Sequence, residues 1–204
     1  MNNTVELSIR KGITENNPQR LIISDQFIQY DNFKKTPTKF LKTDIKDCRF
    51  GIRWIEVEFT IGREYQVFIR NKKDELLKIQ FKSYFGYKKT QLLNDYNTIL
   101  ENLWNFYFDD IAQSFINQFW ENKPFFIDKT QISKEGITIK LDKVLKQKEV
   151  LIKWEDAGTT DYVTYFVIYS KSDQRNINRA FYYLEDWNTH ILYSVVRTIL
   201  RDIN

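Results

Sequence analysis

The chain has 204 residues, 42% hydrophobic and 16% aromatic, and a formal net charge of +4 at pH 7. This composition excludes an intrinsically disordered chain, and the interspersed signs of the charges argue against a nucleic-acid-binding surface. The single cysteine, Cys48, excludes an internal disulfide and favours a reducing compartment. The N-terminus lacks a signal-peptide pattern, and no segment has the about 20 apolar residues that span a bilayer. We therefore expect a cytoplasmic protein.

Alternating apolar and polar residues predict short antiparallel strands in the first half of the chain. Residues 20–24 and 27–30 are predicted to form a hairpin, followed by a strand over residues 40–47. Three more alternating runs follow between residues 56 and 82. Gly62 and Arg63 are predicted to form the two-residue turn between the first two of these runs, because glycine readily adopts positive φ.

A long helix is predicted from about residue 88 to about residue 120, since no helix breaker precedes Pro124. Its first apolar stripe, from Leu92 to Tyr107, is typical of a helix that covers one sheet domain. A second stripe is turned by roughly 100° from the first and consists of Trp104, Phe108, Ile111, Phe115 and Phe119. We expect this second stripe to be an interdomain or partner surface. Either the second domain folds back onto it, which we favour, or a second copy packs there in a two-fold dimer.

The second half repeats this order of elements. Alternation predicts strands over residues 137–141, 150–154, 162–170 and 179–184. Asp186 is predicted to be the N-cap of a C-terminal helix over about residues 186–203. A broad apolar stripe on that helix begins at Trp187.

Two segments of the chain recur, which indicates a duplicated domain. Residues 23–28 (ISDQFI) return as residues 132–137 (ISKEGI), and the same offset places Asp47 on Asp156. Residues 95–100 (DYNTIL) match residues 186–192 (DWNTHIL) with one insertion. Because strands precede a helix in each half, we predict an α+β protein with two domains, 1–122 and 123–204.

This order of elements resembles the pleckstrin-homology-like (PH-like) superfold, and the chain looks most like the tandem PH-like proteins of bacteria. The resemblance implies two tandem units, each an antiparallel β-barrel or sandwich closed by a C-terminal helix. It also implies that Trp187, matched by Tyr96 in the first copy, packs into the mouth of its barrel. A different small barrel with an added helix is the alternative.

No catalytic, cofactor-binding or metal-binding motif is recognisable in the sequence. Glycine-rich nucleotide loops are missing, and the single histidine and single cysteine lie in different halves. We interpret His190 as a boundary residue of the closing helix and Cys48 as a passive half-buried side chain. Asp109 and Asp110 are interpreted as polar helix surface. We therefore expect neither an enzyme nor a cofactor.

A lysine-rich loop carries Lys34, Lys35 and Lys39. In PH domains that bind phosphoinositides, basic loop residues at the open end of the barrel hold the phosphates. This resemblance makes the loop a candidate anion-binding site, although its lysines do not match the family's usual spacing. Our main hypothesis is a non-catalytic binding or scaffolding protein that recognises a protein or peptide partner, as a monomer or a two-fold homodimer. The alternative is peripheral membrane or anionic-ligand binding through the lysine loop.

Overall fold

A computed structural model of the protein describes residues 4–10, 17–32, 36–143 and 146–203. By its internal contacts the chain divides into two compact units, Met1–Asp109 and Asp110–Asn204. The fold is α+β, with four antiparallel sheets and a helix at the C-terminal end. The division falls at Asp109 and not between residues 122 and 123, where the sequence places it.

The first unit has a four-stranded sheet in the order β1-β2-β3-β4 and a three-stranded sheet in the order β5-β6-β7. The strands form where apolar and polar side chains alternate, because the apolar ones then share one face of the sheet. On that face residues such as Ile23 and Val67 are fully buried. A 3₁₀ turn, Lys42–Asp44, separates the two sheets. The strands are β1 (Thr4–Ile9), β2 (Gln19–Ser24), β3 (Phe27–Asp31), β4 (Thr38–Leu41), β5 (Ile45–Val57), β6 (Thr60–Asn71) and β7 (Leu76–Tyr84).

The helix α1 (Lys89–Leu103) packs against β7, β1 and β2. Its buried residues follow the predicted first stripe and include Leu92, Tyr96 and Ile99. The ring of Tyr96 lies 5.4 Å from that of Tyr65 and 6.4 Å from that of Phe81, measured between centroids. The first stripe therefore covers the inner face of the three-stranded sheet.

A π-helical turn, Trp104–Phe108, follows α1, and the Asp109 N–H donates to the carbonyl of Trp104. The helix α2 (Asp109–Trp120) comes next. A π turn absorbs one extra residue, so later residues are rotated by about 100° relative to an uninterrupted α-helix. This turn accounts for the change of phase between the two predicted stripes.

The end of α2 is a Schellman motif. The N–H of Asn122 donates to the carbonyl of Phe119 at 3.0 Å, and the N–H of Lys123 donates to that of Gln118 at 2.9 Å. Asn122 has a φ of 58°, the left-handed conformation that this motif needs and that asparagine tolerates. Pro124 follows and prevents continuation of the helix.

In the second unit, strands β8 to β14 follow α2 and precede α3 (Thr189–Ile203). The four-stranded sheet has the order β11-β10-β9-β8 and the three-stranded sheet the order β12-β13-β14. Four strands, three strands and a helix therefore occur in the same order in both units. The strands are β8 (Phe125–Ile127), β9 (Thr130–Ser133), β10 (Gly136–Lys143), β11 (Lys146–Lys153), β12 (Ala157–Asp161), β13 (Tyr165–Ser170) and β14 (Asn178–Tyr182).

The first predicted repeat forms the same turn in both units. The Ser24 hydroxyl oxygen accepts the N–H groups of Gln26 and Phe27, and that of Ser133 accepts the N–H of Glu135. Each serine precedes a two-residue hairpin turn, between β2 and β3 or between β9 and β10. The two similar segments therefore have equivalent positions in the two units.

The predicted match of Asp47 with Asp156 is wrong. The carbonyl of Asp156 accepts the N–H of Lys171, and the same bond in the first unit joins Lys72 to Asp44. Asp44 is therefore the counterpart of Asp156, and it lies three positions before Asp47, which the sequence repeat indicates. The shift arises because a 3₁₀ turn precedes β5 in the first unit.

The predicted match of residues 95–100 with residues 186–192 is also wrong. Asp95 and Tyr96 lie inside α1, whereas Asp186 and Trp187 precede α3, which begins at Thr189. Asp186 is not the helix cap, because its carboxylate accepts the N–H of Tyr182 at 2.8 Å. Trp187 is only half-buried. The aromatic residue of α3 that contacts the sheet is Tyr193, whose ring lies 5.0 Å from that of Phe166.

Candidate functional site

The predicted aromatic stripe contributes to the packing of each unit. In the first unit Phe108 is fully buried and stacks on Phe50, with Trp104 edge-on at 6.1 Å. In the second unit Phe115 stacks on Phe125 at 5.0 Å. Phe119, also in the second unit, is buried and lies 5.4 Å from the ring of Trp154.

Trp104, Ile111 and Phe115 remain partly exposed. The stripe is still predicted to be covered by the other unit or by a second copy of the chain. This prediction now concerns only these three side chains. Phe108 and Phe119 are already buried against Phe50 and Trp154 of their own units.

Among the residues that the structure describes, the lysine-rich loop does not form a cluster of cations. Lys34 and Lys35 lie outside the described residues, and Lys39 is exposed on β4 with its ammonium 3.9 Å from the ring centroid of Phe27. Lys46, farther along, pairs with Asp74 at 2.9 Å. The anion-binding loop therefore stays a prediction, with only Lys39 placed.

Cys48 and His190, the single cysteine and the single histidine of the chain, are each packed against other side chains of their unit. Cys48 is buried, and burial raises the pKa of its thiol, which keeps the thiol protonated at neutral pH. His190 stacks on Tyr183 with a centroid distance of 4.0 Å. The hydroxyl of Tyr183 in turn donates to Asp161 at 2.5 Å.

The described part of the chain contains no group of three or more His, Cys, Asp or Glu side chains arranged to hold a metal ion. Among its helices, none is both long and apolar enough to cross a bilayer.

The least ordinary surface of the first unit is the far end of the β5–β6 hairpin. Phe59 at its tip is 91% exposed and Trp54 is 59% exposed, and Val57, Ile61 and the nearby Phe85 are exposed as well. The N–H of Phe85 donates to the carbonyl of Ile61 at 2.9 Å, which holds the loop after β7 beside the hairpin. The guanidinium of Arg63 lies 4.2 Å above the ring centroid of Trp54. We call these five exposed apolar residues the apolar hairpin.

Two residues of the apolar hairpin, Trp54 and Ile61, continue the inner face of its sheet beyond the core, and Val57 lies on the opposite face. In the β5–β6 register the buried pair Phe50 and Val67 is followed on the same face by Ile52 and Tyr65, and then by Trp54 and Arg63. This arrangement extends an apolar face into solvent.

Sequence reasoning missed the apolar hairpin because it misplaced the turn. The two-residue turn is Glu58-Phe59, with Glu58 at a φ of 47°, and not Gly62-Arg63. Gly62 lies inside β6, where an added Cβ would be 2.6 Å from the carbonyl oxygen of Ser83. The alternation of Val57, Phe59 and Ile61 is typical of a core strand, but these residues belong to an exposed hairpin end.

A second unusual surface is the outer face of the β12–β13–β14 sheet in the second unit. Its outward positions alternate with buried Phe166, Ile168 and Phe181, and none of them is charged. Four are tyrosines, three of which form a ladder. The outward positions are Gly158, Thr160, Tyr162, Tyr165, Val167, Tyr169, Asn178, Ala180 and Tyr182.

Comparisons with protein families and with curated proteins give no relative from which to transfer an activity. No protein-family model matches the sequence, and no curated protein matches it. The functional conclusion therefore depends on the surfaces of the two units.

Proposed function

We propose that this protein is a non-catalytic binding or scaffolding protein of two tandem PH-like units that recognises a protein partner through the apolar hairpin. The observation that carries the proposal is the exposure of Trp54, Val57, Phe59, Ile61 and Phe85 on one hairpin end of the first unit. Soluble monomers rarely expose several large apolar side chains together unless the patch binds something.

The PH-like part of the proposal is supported by the element order. Each unit has a four-stranded antiparallel sheet, a three-stranded antiparallel sheet and then a helix. The proposed location is the cytoplasm, in line with a chain whose single cysteine, Cys48, is buried.

The composition of the apolar hairpin favours a protein partner. Tryptophan, phenylalanine and arginine are enriched where protein interfaces bind most strongly. Arg63 over Trp54 combines a cation with a broad aromatic surface, and an arginine held in this way loses less side-chain entropy on binding.

The charges at the hairpin tip disfavour an anionic membrane as the partner. Glu56 and Glu58 are exposed on either side of Val57 and close to Phe59. Insertion of Phe59 into a bilayer would bring both carboxylates to the negative surface and oppose binding. A protein surface has no such general penalty.

The test is affinity purification from native lysate with mass spectrometry, using the wild type and the double variant Trp54→Ala with Phe59→Ser. We expect a specific partner that the double variant loses, because two of the three exposed aromatic anchors, Trp54 and Phe59, are gone. The control is Phe126→Ser, which removes a 61% exposed phenylalanine from β8 and should retain the partner.

Circular dichroism and thermal unfolding check that each variant remains folded. An unchanged set of partners in the double variant would contradict the proposal. Sedimentation of the wild type, but not of the double variant, with vesicles of anionic lipid would replace the protein partner with a membrane.

A further inference from the structure

The outer face of the β12–β13–β14 sheet differs from its counterpart in the first unit. The outer face of β5–β6–β7 is an ordinary charged surface, where Arg53 and Lys82 flank Glu64 at 2.5 Å and 3.2 Å. In the second unit the corresponding positions hold tyrosines and small uncharged residues. Two units with the same element order therefore have different surfaces on equivalent sheets, and the second face is not required by the fold.

The tyrosines form an ordered aromatic surface. The rings of Tyr162 and Tyr165 stack at 4.7 Å with an angle of 22°, and those of Tyr165 and Tyr182 are 5.3 Å apart. Tyr162 and Tyr182 are 48% and 43% exposed, and the adjoining Val163 is 90% exposed. These rings pack against one another, so a ligand would meet a surface that is already arranged.

The segments that carry the ladder have acidic side chains close to it in sequence. Glu185 and Asp186 follow β14 in the loop before α3, whereas Asp161, beside Tyr162, lies on the inner register opposite Phe166 and accepts the hydroxyl of Tyr183. Residues 154–170 and 180–196 contain no lysine or arginine, although the whole chain has a net charge of +4. The carboxylate of Asp186 lies beside the ladder, because it accepts the backbone N–H of Tyr182 at 2.8 Å.

We propose that this face binds a cationic peptide segment, with arginine or lysine side chains on the exposed tyrosine rings and paired with the neighbouring carboxylates. Aromatic faces attract cations, and a carboxylate that already accepts one hydrogen bond has lone pairs for more. Negative charge on a positively charged protein favours a positively charged partner at this place. The inference is independent of the apolar hairpin, which lies in the other unit.

The experiment titrates the full chain with short synthetic peptides of alternating glycine and arginine, followed by calorimetry and by amide chemical shifts. We expect saturable binding with shifts concentrated at residues 160–167 and 180–186. Peptides of alternating glycine and lysine should bind as well, and those of glycine and glutamate should not. Salt should weaken the binding.

The decisive variant is Tyr162→Ala with Tyr182→Ala, which should weaken binding about tenfold, since two exposed cation–π contacts are lost. Tyr87→Ala removes a 50% exposed tyrosine of the first unit and is the matched control. Tyr162→Phe with Tyr182→Phe keeps the ring faces and should retain binding, which also covers the case in which the alanine variant unfolds.

A charge variant tests the second part of the proposal. Glu185→Gln should weaken binding a few-fold and reduce its salt dependence, whereas Glu135→Gln, in the exposed turn between β9 and β10, should not. Absence of saturable binding would overturn the inference, as would equal binding of glycine–serine peptides or full binding by the alanine variant. The variant Trp54→Ala with Phe59→Ser should bind the peptide like the wild type, so failure here is separate from failure of the proposed function.

Discussion

Glu64 lies on the outer face of the β5–β6–β7 sheet, but neighbouring side chains cover it. Only 4% of its side chain is exposed, because it lies on the central strand between the long side chains of Arg53 and Lys82. Burial alone would raise the pKa of Glu64, but hydrogen bonds from Gln66, Lys82 and Arg53 outweigh burial and hold the pKa below its ordinary value. The ionised carboxylate therefore joins the three strands of this sheet.

The lowered pKa of Glu64 predicts a pH dependence of stability. The unfolded pKa is about 4.3, so the stabilisation is fully present above that pH and is lost as pH falls through the lower folded pKa. Urea unfolding of the wild type from about pH 6 to about pH 3 should show this loss, and Glu64→Gln should show a smaller one. Glu58→Gln, at the exposed tip of the same hairpin, controls for the removal of one carboxylate. Equal slopes for the wild type and Glu64→Gln would contradict the prediction.

At the scale of elements, the recurring serine turn gives an internal comparison. Ser24 is buried, and its hydroxyl accepts the N–H of Phe27 at 3.1 Å and donates to the carbonyl of the same residue. Ser133 is less buried. Its bond from the N–H of Glu135 equals that of Ser24 from Gln26, at 3.3 Å, but its bond to the carbonyl of Gly136 is longer, at 3.5 Å. Removal of the serine hydroxyl should therefore reduce the free energy of unfolding by a different amount in each unit.

We expect Ser24→Ala to destabilise the protein by about 1–2 kcal/mol, because it removes the hydroxyl that bonds both the N–H and the carbonyl of Phe27 in a part-buried turn. Ser133→Ala should cost less, about 0.5 kcal/mol, since water can reach its turn. Chemical denaturation of the two variants measures both values. A larger cost for Ser133→Ala would show that the turns are not equivalent in the way the hydrogen bonds indicate.

The elements that could be predicted from the sequence are those whose side chains alternate between core and solvent. Residues 23–28 and 132–137 were placed correctly, because the turn serine and the flanking isoleucines have the same roles in both hairpins. Gly62 misled the prediction, since it allows close approach to Ser83 rather than a turn. The π turn has no signal of its own in the sequence, so the stripe through Phe108 and Phe119 has the pattern of an uncovered surface although both residues are buried.

At the scale of the whole molecule, the boundary between the units follows from the packing of α2. Phe115 and Phe119 contact Phe125 and Trp154, so α2 belongs to the second unit although it continues directly from the π turn. The sequence placed the boundary near Pro124 because proline and the end of the helix are the visible signals. Neither candidate surface could be predicted, because each depends on where a hairpin ends and which face of a sheet is outward.

The division into two compact units predicts that a core defect in one unit is felt mainly there. Phe166 is fully buried in the second unit, against Phe181 at 5.1 Å and Tyr193 at 5.0 Å. Phe166→Ala should destabilise that unit by about 3–5 kcal/mol, because it leaves a cavity among these rings. Native-state hydrogen exchange should then show faster exchange of amides in β12, β13 and β14, with those of β5, β6 and β7 unchanged. Tyr65→Ala, in the core of the first unit, is the matched variant and should give the reverse pattern. Equal loss of protection in both units from either substitution would show that they unfold as one cooperative body.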